Sequence, residues 1–590
     1  MTPVCFWSNF FGEGAMHQRY RKIYRGSAED NELPPPFSAR LTELIAHYFS
    51  RNPELWPEFA SPGFQRVIDF RRLNLAPEER MRHYPDAHRL LEQLSSSASI
   101  PQQPTAPDGK SDELLSFVAA LSKDWENPGS VENVVCLPSD PAIYGTMLGA
   151  IANANLVHQE YSGMATDLEN CVIRQIASLV GYDTATATGI FTQGGTFCNL
   201  YGYLMGIRKA LPEARLYGMD YTHDYRIINS QGGHYSNTTN LSLLGVNIRK
   251  KTIRIKITDT NDMDLDDLES QLRSCFQLKC VVPCIMLTMG TTDTFGVDRV
   301  KPVYDLRNRL CEHFDIKVKP HIHIDSAVGW PMTFFLDYDF ENNPLNINAI
   351  TLAGLQKNAA LFKELKYADS FTVDFQKWGF VPYTSSLVMI KSREDLLTME
   401  NDPENFSYFE KDTQGHTHLQ ATIECSRGST GVFGAYAALK YIGKVGYQAL
   451  IAAGLQNANY FRYRLAQLPN VKVLTTRNQG PSVVFRIYPF TVTNCEDEFA
   501  YEYHLKDDDD YRQRFNSNSL WHRKVFLNRG KVGLYTNWVE SIAHTTYDEK
   551  GRYQYFPGEK AVFFNPLTQR THIDQFVENI YRGSETAGIV

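Results

Sequence analysis

The sequence has no run of about 18 consecutive apolar residues, the length a helix needs to cross a bilayer, so no membrane-spanning helix is expected. Met1 to Met16 lacks a basic start followed by a continuous apolar segment, so no secretory signal is expected either. Positive charge is short: 59 Lys and Arg against 67 Asp and Glu leave a net charge of −8. A chain of this length then has no broad basic surface for phosphates, which argues against a nucleic-acid partner. The ten cysteines contain no CxxC pair of zinc-like spacing and no small-domain framework. Reduced thiols in the cytosol fit them best, and Cys280 and Cys284, which flank an apolar run, read as core residues. The acidic run Asp507 to Asp510 reads as a solvated loop.

What is present is the composition of an ordinary soluble protein, with 43% hydrophobic and 21% charged residues in a chain of 590, and a globular enzyme is the simplest class that fits. Leu41 to Phe49 and Ala87 to Leu94 are amphipathic and predict helices in an N-terminal region, 1–133. Ser95 to Ser111 mixes Ser, Pro, Gln, Gly and Asp and reads as a surface connection. From about Val134, short apolar runs alternate with helical patterns, which predicts an α/β domain over 134–440 with a mainly parallel sheet. Its strand candidates include Val281 to Thr288, His321 to Ile324, Ser370 to Val373 and Ser386 to Ile390. In 441–590, Ile451, Leu455, Ala458, Phe461, Leu465 and Leu468 mark the buried stripe of a helix. Strands at Val471 to Leu474 and Val483 to Tyr488, and a helix burying Ile573, Phe576, Val577 and Ile580, complete a smaller α+β domain.

Three segments could carry chemistry. Thr188 to Leu211 reads as strand, glycine turn and helix, and Gly194-Gly195-Thr196 at the turn suits an anion: glycine lets the backbone approach a phosphate, and a helix start offers free N–H groups and a positive dipole end. A plain structural turn is the alternative. In His321-Ile322-His323-Ile324-Asp325, period two puts His321, His323 and Asp325 on one face. That face suits a zinc or iron site, an acid paired with a cofactor ring nitrogen, or simply a strand end with satisfied histidines. Lys377, just past a strand in Asp374-Phe375-Gln376-Lys377-Trp378, sits in an aromatic setting where lost hydration lowers a lysine pKa and favours reaction with a carbonyl; an ordinary surface lysine is the alternative.

Together and in this order, the three segments resemble the group II pyridoxal-phosphate amino-acid decarboxylases, over roughly Val135 to Gly446. His234-Tyr235-Ser236, Gly290-Thr291-Thr292, His323 to Ala327 and Ser426-Arg427-Gly428 extend the resemblance. It implies a fold-type I architecture, a mainly parallel central sheet flanked by helices, and pyridoxal 5'-phosphate as cofactor. It implies that Gly194, Gly195 and Thr196, with Asn199 behind them, bind the phosphate and that His234 stacks on the ring. It further implies that Thr291 lines the pocket, that Asp325 pairs with the ring nitrogen and Ala327 touches the ring face, and that Lys377, flanked by Asp374 and Gln376, holds the cofactor covalently. By the same resemblance Tyr408 returns a proton to the carbon that lost carboxylate, and the protein is a cytoplasmic homodimer acting on an amino acid. Leu345 to Lys366 and Gly379 to Tyr383 look like the bacterial tyrosine and aspartate decarboxylase branch, leaving tyrosine, aspartate and glutamate as expected substrates.

The chain departs from the family at Phe375-Gln376, where Pro-His is usual, and at Thr239, where a lysine usually follows the stacking histidine. Gln376 can donate a hydrogen bond to phosphate but cannot titrate. Two other readings stand beside the decarboxylase: a metal-dependent hydrolase built on His321, His323 and Asp325, and a catalytically weakened cofactor-binding homologue.

Overall fold

Apolar runs become strands here because both faces of the sheet are covered. The computed structural model describes residues 35–49, 62–73, 75, 77–96, 99–100, 102, 113–219, 224–400, 421–474, 477–503, 509–542 and 556–586. Seven strands, β1 (Thr188–Thr192), β2 (Ile227–Ser230), β3 (Thr252–Ile255), β4 (Cys284–Thr288), β5 (His321–Asp325), β6 (Ser370–Asp374) and β7 (Ser386–Ile390), form one sheet in the order β1-β7-β6-β5-β4-β2-β3. All neighbours are parallel except β7, which runs against β1 and β6. β1, β4, β5, β6 and β7 are buried along their whole length, as parallel strands under helices must be.

Register determines where the chemistry gathers. Thr288 at the end of β4 lies opposite Asp325 at the end of β5, and Ser386 at the start of β7 faces both Asp374 at the end of β6 and Thr192 at the end of β1. One sheet edge, the carboxyl end of the parallel strands, thus collects the ends of four strands and the start of a fifth, where open α/β sheets place their ligands.

Four helices bear on this edge, α1 (Ala165–Val180), α2 (Gly195–Ala210), α3 (Ser236–Leu243) and α4 (Thr430–Ala466), while a fifth, α5 (Arg570–Thr586), packs on a second sheet. α2 lies directly over β5, and two of its glycines make that approach feasible. A Cβ on Gly202 would stand 2.3 Å from the His323 ring, and one on Gly206 would stand 3.1 Å from the His321 Cβ.

The expected stripe Ile451 to Leu468 is buried on and just beyond α4, but it serves two cores. Ile451 and Leu455 belong to that of the large sheet, whereas Ala458, Phe461, Leu465 and Leu468 belong to that of a second sheet. Gly443, at φ 64° and ψ 169°, interrupts α4 with a conformation that favours glycine. The second sheet is antiparallel, in the order β10-β11-β9-β8, with β8 (Val471–Val473), β9 (Ser482–Ile487), β10 (Asn537–Ile542) and β11 (Phe556–Val562). α5 buries Ile573, Phe576, Val577 and Ile580 against it, as its spacing predicts. The helix expected at Leu41 to Phe49 is Pro35–Tyr48, and that at Ala87 to Leu94 runs on to Ser96. Of the expected connection beyond Ser96, only residues 99, 100 and 102 fall among those described.

Candidate active site

The phosphate turn forms as its glycines require. β1 ends at Thr192, Gly194 adopts φ +128°, and α2 begins at Gly195 with no side chain capping it. An uncapped helix start keeps its first N–H groups available to an anion. Asn240 steadies the turn by donating to the Thr196 carbonyl at 2.9 Å. Gly195 is needed for a further reason: a Cβ there would lie 2.8 Å from Asp374 Oδ2.

Asp325 sits at the centre of a buried network. Asn199, one turn into α2, donates to Asp325 Oδ2 at 2.9 Å and to Ser236 Oγ at 3.3 Å, while its own carbonyl oxygen accepts from Thr372 at 2.9 Å. Asn199 therefore acts on the carboxylate rather than lying in the phosphate turn. The N–H of Ala327 donates to Asp325 Oδ1 at 3.2 Å. His323 Nδ1 pairs with Ser370 Oγ at 2.7 Å, and its Nε2 lies 3.2 Å from Asn199 Oδ1 and 3.1 Å from Thr372 Oγ1. His321 Nε2 also reaches Ser370 Oγ, at 2.7 Å.

Burial holds both imidazoles below their usual pKa, so each is neutral, and three of their four ring nitrogens are engaged by hydroxyl or amide groups. Those contacts use the nitrogens a metal would need, and among the described residues no group of three His, Cys, Asp or Glu is arranged to hold one. The hydrolase alternative is not favoured.

His234 lies in the turn before α3, and the Ser236 N–H donates to its Nδ1 at 3.2 Å. Burial lowers the His234 pKa against the opposing pull of Asp325. Neutral and with Nδ1 accepting, the ring carries its proton on Nε2. The path from His234 through Ser236 and Asn199 to Asp325 ties the expected stacking ring to the expected ring-nitrogen partner. Thr291, also buried, uses its hydroxyl within its own loop, reaching Thr294 Oγ1 at 2.8 Å and accepting from Gly296 N at 2.7 Å.

Lys377 lies just past β6, with its Nζ 3.1 Å from Asp374 Oδ2. The expected lowering of its pKa does not occur. Burial pulls in that direction, but the charges of Asp374 and Asp325, with Tyr383, outweigh it and raise the pKa. Asp374 is itself held by Ser386 Oγ at 2.5 Å, and Ser386 accepts from Gln376 Nε2 at 2.7 Å. Gln376 also accepts from the Ser385 N–H at 3.0 Å, so its effect on the site passes through Ser386 to Asp374. Trp330 Nε1 donates to the Asp374 carbonyl at 3.1 Å, and Phe191 stacks on Phe375 at 5.8 Å, fixing the turn that presents the lysine.

Arg427 anchors the chain from outside the cluster. It pairs with Glu169 of α1 and donates to the carbonyls of Phe191 at 3.1 Å and Leu156 at 3.2 Å. Tyr408 lies outside the described residues.

Two participants escape a reading of the sequence. Tyr383 stands close enough to Lys377 to shift its pKa; its place six residues after the lysine was visible, but the turn that brings it back was not. Ser386 reaches Asp374 only through the antiparallel register of β7, which no local pattern encodes.

The cluster offers an uncapped helix start for a phosphate, a buried carboxylate for a ring nitrogen and an amine for an aldehyde, so its residues fit pyridoxal phosphate. Comparison with known proteins agrees. The pyridoxal-dependent decarboxylase conserved domain matches residues 92–488, more than half of the chain. An aspartate 1-decarboxylase of Aliivibrio fischeri is 23% identical over 436 residues, covering 70% of this chain and 72% of that protein. An L-tyrosine decarboxylase of Enterococcus faecium is 27% identical over 256 residues, covering 40% of each. Among solved structures, Oryza sativa TDC with PLP and tryptamine superposes with a TM-score of 0.68 at 16% identity, covering 90% of this chain and 99% of that one. Mouse CSAD gives 0.67 at 15%, covering 88% and 97%. These two likenesses establish the fold, fold-type I, and the family match establishes the rest: this chain belongs to the pyridoxal-dependent decarboxylases, enzymes that use pyridoxal 5'-phosphate to remove carbon dioxide from an amino acid.

Proposed function

We propose that this decarboxylase converts an L-amino acid of the tyrosine, aspartate or glutamate class to its amine, with Lys377 holding the cofactor. The observation that carries the reading is the Lys377 amine 3.1 Å from Asp374, on the sheet edge that also bears Asp325 and the uncapped start of α2. Likeness to an aspartate and a tyrosine decarboxylase supports the substrate class. Under the same proposal the enzyme is a cytoplasmic homodimer, divided into a helical region 1–133, a catalytic domain 134–440 and a small domain 441–590.

The roles follow from chemistry. The N–H groups of Gly195 and Thr196 bind the phosphate at the positive end of α2, beyond the Gly194 turn. His234, neutral, and Ala327 would hold the cofactor ring. Asp325 keeps a ring nitrogen protonated, with Asn199 fixing the carboxylate's orientation. Asp374, steadied by Gln376 through Ser386, orients the Lys377 amine, and Thr291 shapes the pocket wall. Once bound, the cofactor supplies a conjugated sink for the electron pair released with carbon dioxide.

Reconstitution tests this directly. Purified protein incubated with pyridoxal phosphate should gain a visible absorbance band, and borohydride should convert it to a fixed mass on Lys377. Screening the twenty amino acids for carbon dioxide release should then find a substrate within the proposed class. A preparation that stays colourless with excess cofactor would defeat the proposal. Gly195→Ala is expected to weaken cofactor binding about tenfold, ~1.4 kcal/mol, because the new methyl displaces the Asp374 carboxylate. An absorbance titration unchanged from wild type would refute that expectation.

A further inference from the structure

His321 and His323, which share one face of β5, take no part in the roles above. They stand in a buried row that ends at Asp325: His321, Ser370, His323, Thr372 and Asn199 are each 1% exposed or less. Water does not compete for hydrogen bonds in such a place, and a donor left unmatched there is costly.

The direction of the row follows from its end. An ionised carboxylate only accepts, so the amide nitrogen of Asn199 faces Asp325, at 2.9 Å, and its carbonyl oxygen faces the other way. That oxygen stands 3.2 Å from His323 Nε2 and accepts from Thr372 at 2.9 Å. With its hydrogen given to Asn199, Thr372 Oγ1 can only accept from His323 Nε2, 3.1 Å away. Both neighbours of Nε2 are thus acceptors, and His323 carries its proton there. Burial keeps the ring neutral, so Nδ1 is bare and accepts from Ser370 Oγ at 2.7 Å. Ser370 has one hydrogen to give and therefore accepts from His321 Nε2, also at 2.7 Å. Neutral as well, His321 is then bare at Nδ1, and among the described residues no hydrogen bond reaches that atom. Every donor in the row points toward Asp325. The reversed row, with a proton on His321 Nδ1 aimed at Asp395, gains a contact of 3.8 Å, too long for a hydrogen bond, and sets the lone pairs of His323 Nε2 and Asn199 Oδ1 against each other.

α2 brings ring and amide together. Asn199 and Gly202 lie three residues apart on one face of that helix, and only the missing Cβ of Gly202 leaves room for the His323 ring. Aligned donors in a dry setting polarise one another, so the bond that reaches Asp325 is stronger for the row behind it.

We infer that His323 is a positioning residue for Asp325: donating from Nε2, it holds the Asn199 amide turned toward the carboxylate, and His321, through Ser370, fixes it in the tautomer that can do so. Without the ring, Asn199 is left to the Thr372 hydroxyl, which can donate or accept and so allows either orientation of the amide. Turned over, the amide would set its oxygen against Asp325. This inference rests on the proposed decarboxylase site, in which Asp325 pairs with the cofactor ring nitrogen, and adds what steadies that pairing.

The test uses the reconstituted holoenzyme with isotope-labelled histidine. Nitrogen NMR should show His321 and His323, identified by the signals lost in His321→Phe and His323→Leu, as neutral rings with the proton on Nε2. His323→Leu should lower kcat about tenfold with KM within about twofold, the mark of a group that acts on the reacting state. It should also move the signal of a cofactor labelled at its ring nitrogen away from the wild-type, protonated position. His323→Gln, whose amide reaches as far as Nε2 and donates, should restore that signal and bring kcat to within about threefold of wild type. Ser370→Ala leaves the ring in place but frees its tautomer, so both tautomers of His323 should appear and kcat should fall in part; it decides the question where His323→Leu does not fold. A His323 ring protonated on Nδ1 in wild type overturns this inference alone. So does a loaded His323→Leu with wild-type kcat and ring-nitrogen signal, or a loss that His323→Gln does not relieve, which would mark mere packing. A protein that captures no cofactor overturns the parent proposal and this inference with it.

Discussion

Lys377→Ala should lose carbon dioxide release by about a thousandfold or more, because the residue proposed to capture the cofactor aldehyde is gone. The variant should also lose the mass that borohydride fixes on the wild-type chain, while a thermal melt confirms that it folds. Retention of more than a tenth of wild-type turnover would remove Lys377 from its proposed role.

The pH dependence of capture follows from the ion pair with Asp374. The folded pKa of Lys377 lies above its ordinary value. Stability from the pair is therefore complete below the unfolded lysine pKa, about 10.4, and is lost only as pH rises through the higher folded value. Capture needs the neutral amine, whose fraction grows about tenfold per pH unit below that pKa. Cofactor uptake by the apoprotein should accordingly accelerate from pH 7 to 9. Asp374→Asn removes the nearer carboxylate, so its acceleration should set in at lower pH. Stopped-flow absorbance would show both effects, and a pH-independent rate in wild type would contradict the assigned electrostatics.

Asp325→Asn is expected to reduce kcat by about 10²–10³, the range for removing one preorganised electrostatic group, with little change in the melting temperature. The amide nearly matches the carboxylate in shape, and its oxygen can still accept from Asn199, giving up only the longer contact with the Ala327 N–H, so most of the buried network survives. What disappears is the charge proposed to keep a ring nitrogen protonated. Single-turnover measurement on the loaded variant isolates that step. A loss confined to folding, with normal chemistry in the folded fraction, would show that Asp325 is merely structural.

How much of this was legible in the sequence differs by level. Ser386 to Ile390 forms a strand with the predicted limits, and Ser370 to Val373 runs one residue longer, because fully buried strands leave a dense apolar run bounded by turn residues. The anion turn was readable because its requirements are local: a glycine with positive φ and a helix behind it. The histidine face was less so. Period two placed His321 and His323 correctly on one side of β5, but only the helix packed above shows that this side is dry and its nitrogens taken. The pKa of Lys377 was misread for a similar reason: aromatic neighbours are visible in sequence, whereas Asp325, fifty-two positions earlier, is brought near only by the pairing of β5 with β6. Contacts from the last hundred residues, such as the ion pair of Lys560 with Asp293, left no local trace at all.

The glutamine before the lysine has a consequence of its own. Its carbonyl end is committed to the Ser385 N–H and its amide end to Ser386, so the donor sequence toward Asp374 runs one way only. An imidazole in that place could reverse polarity by gaining a proton in mildly acidic surroundings; a carboxamide has no second state to adopt. The mount beneath the reactive amine therefore keeps one wiring across the physiological range, and acid sensitivity, if the enzyme has any, must enter through other groups.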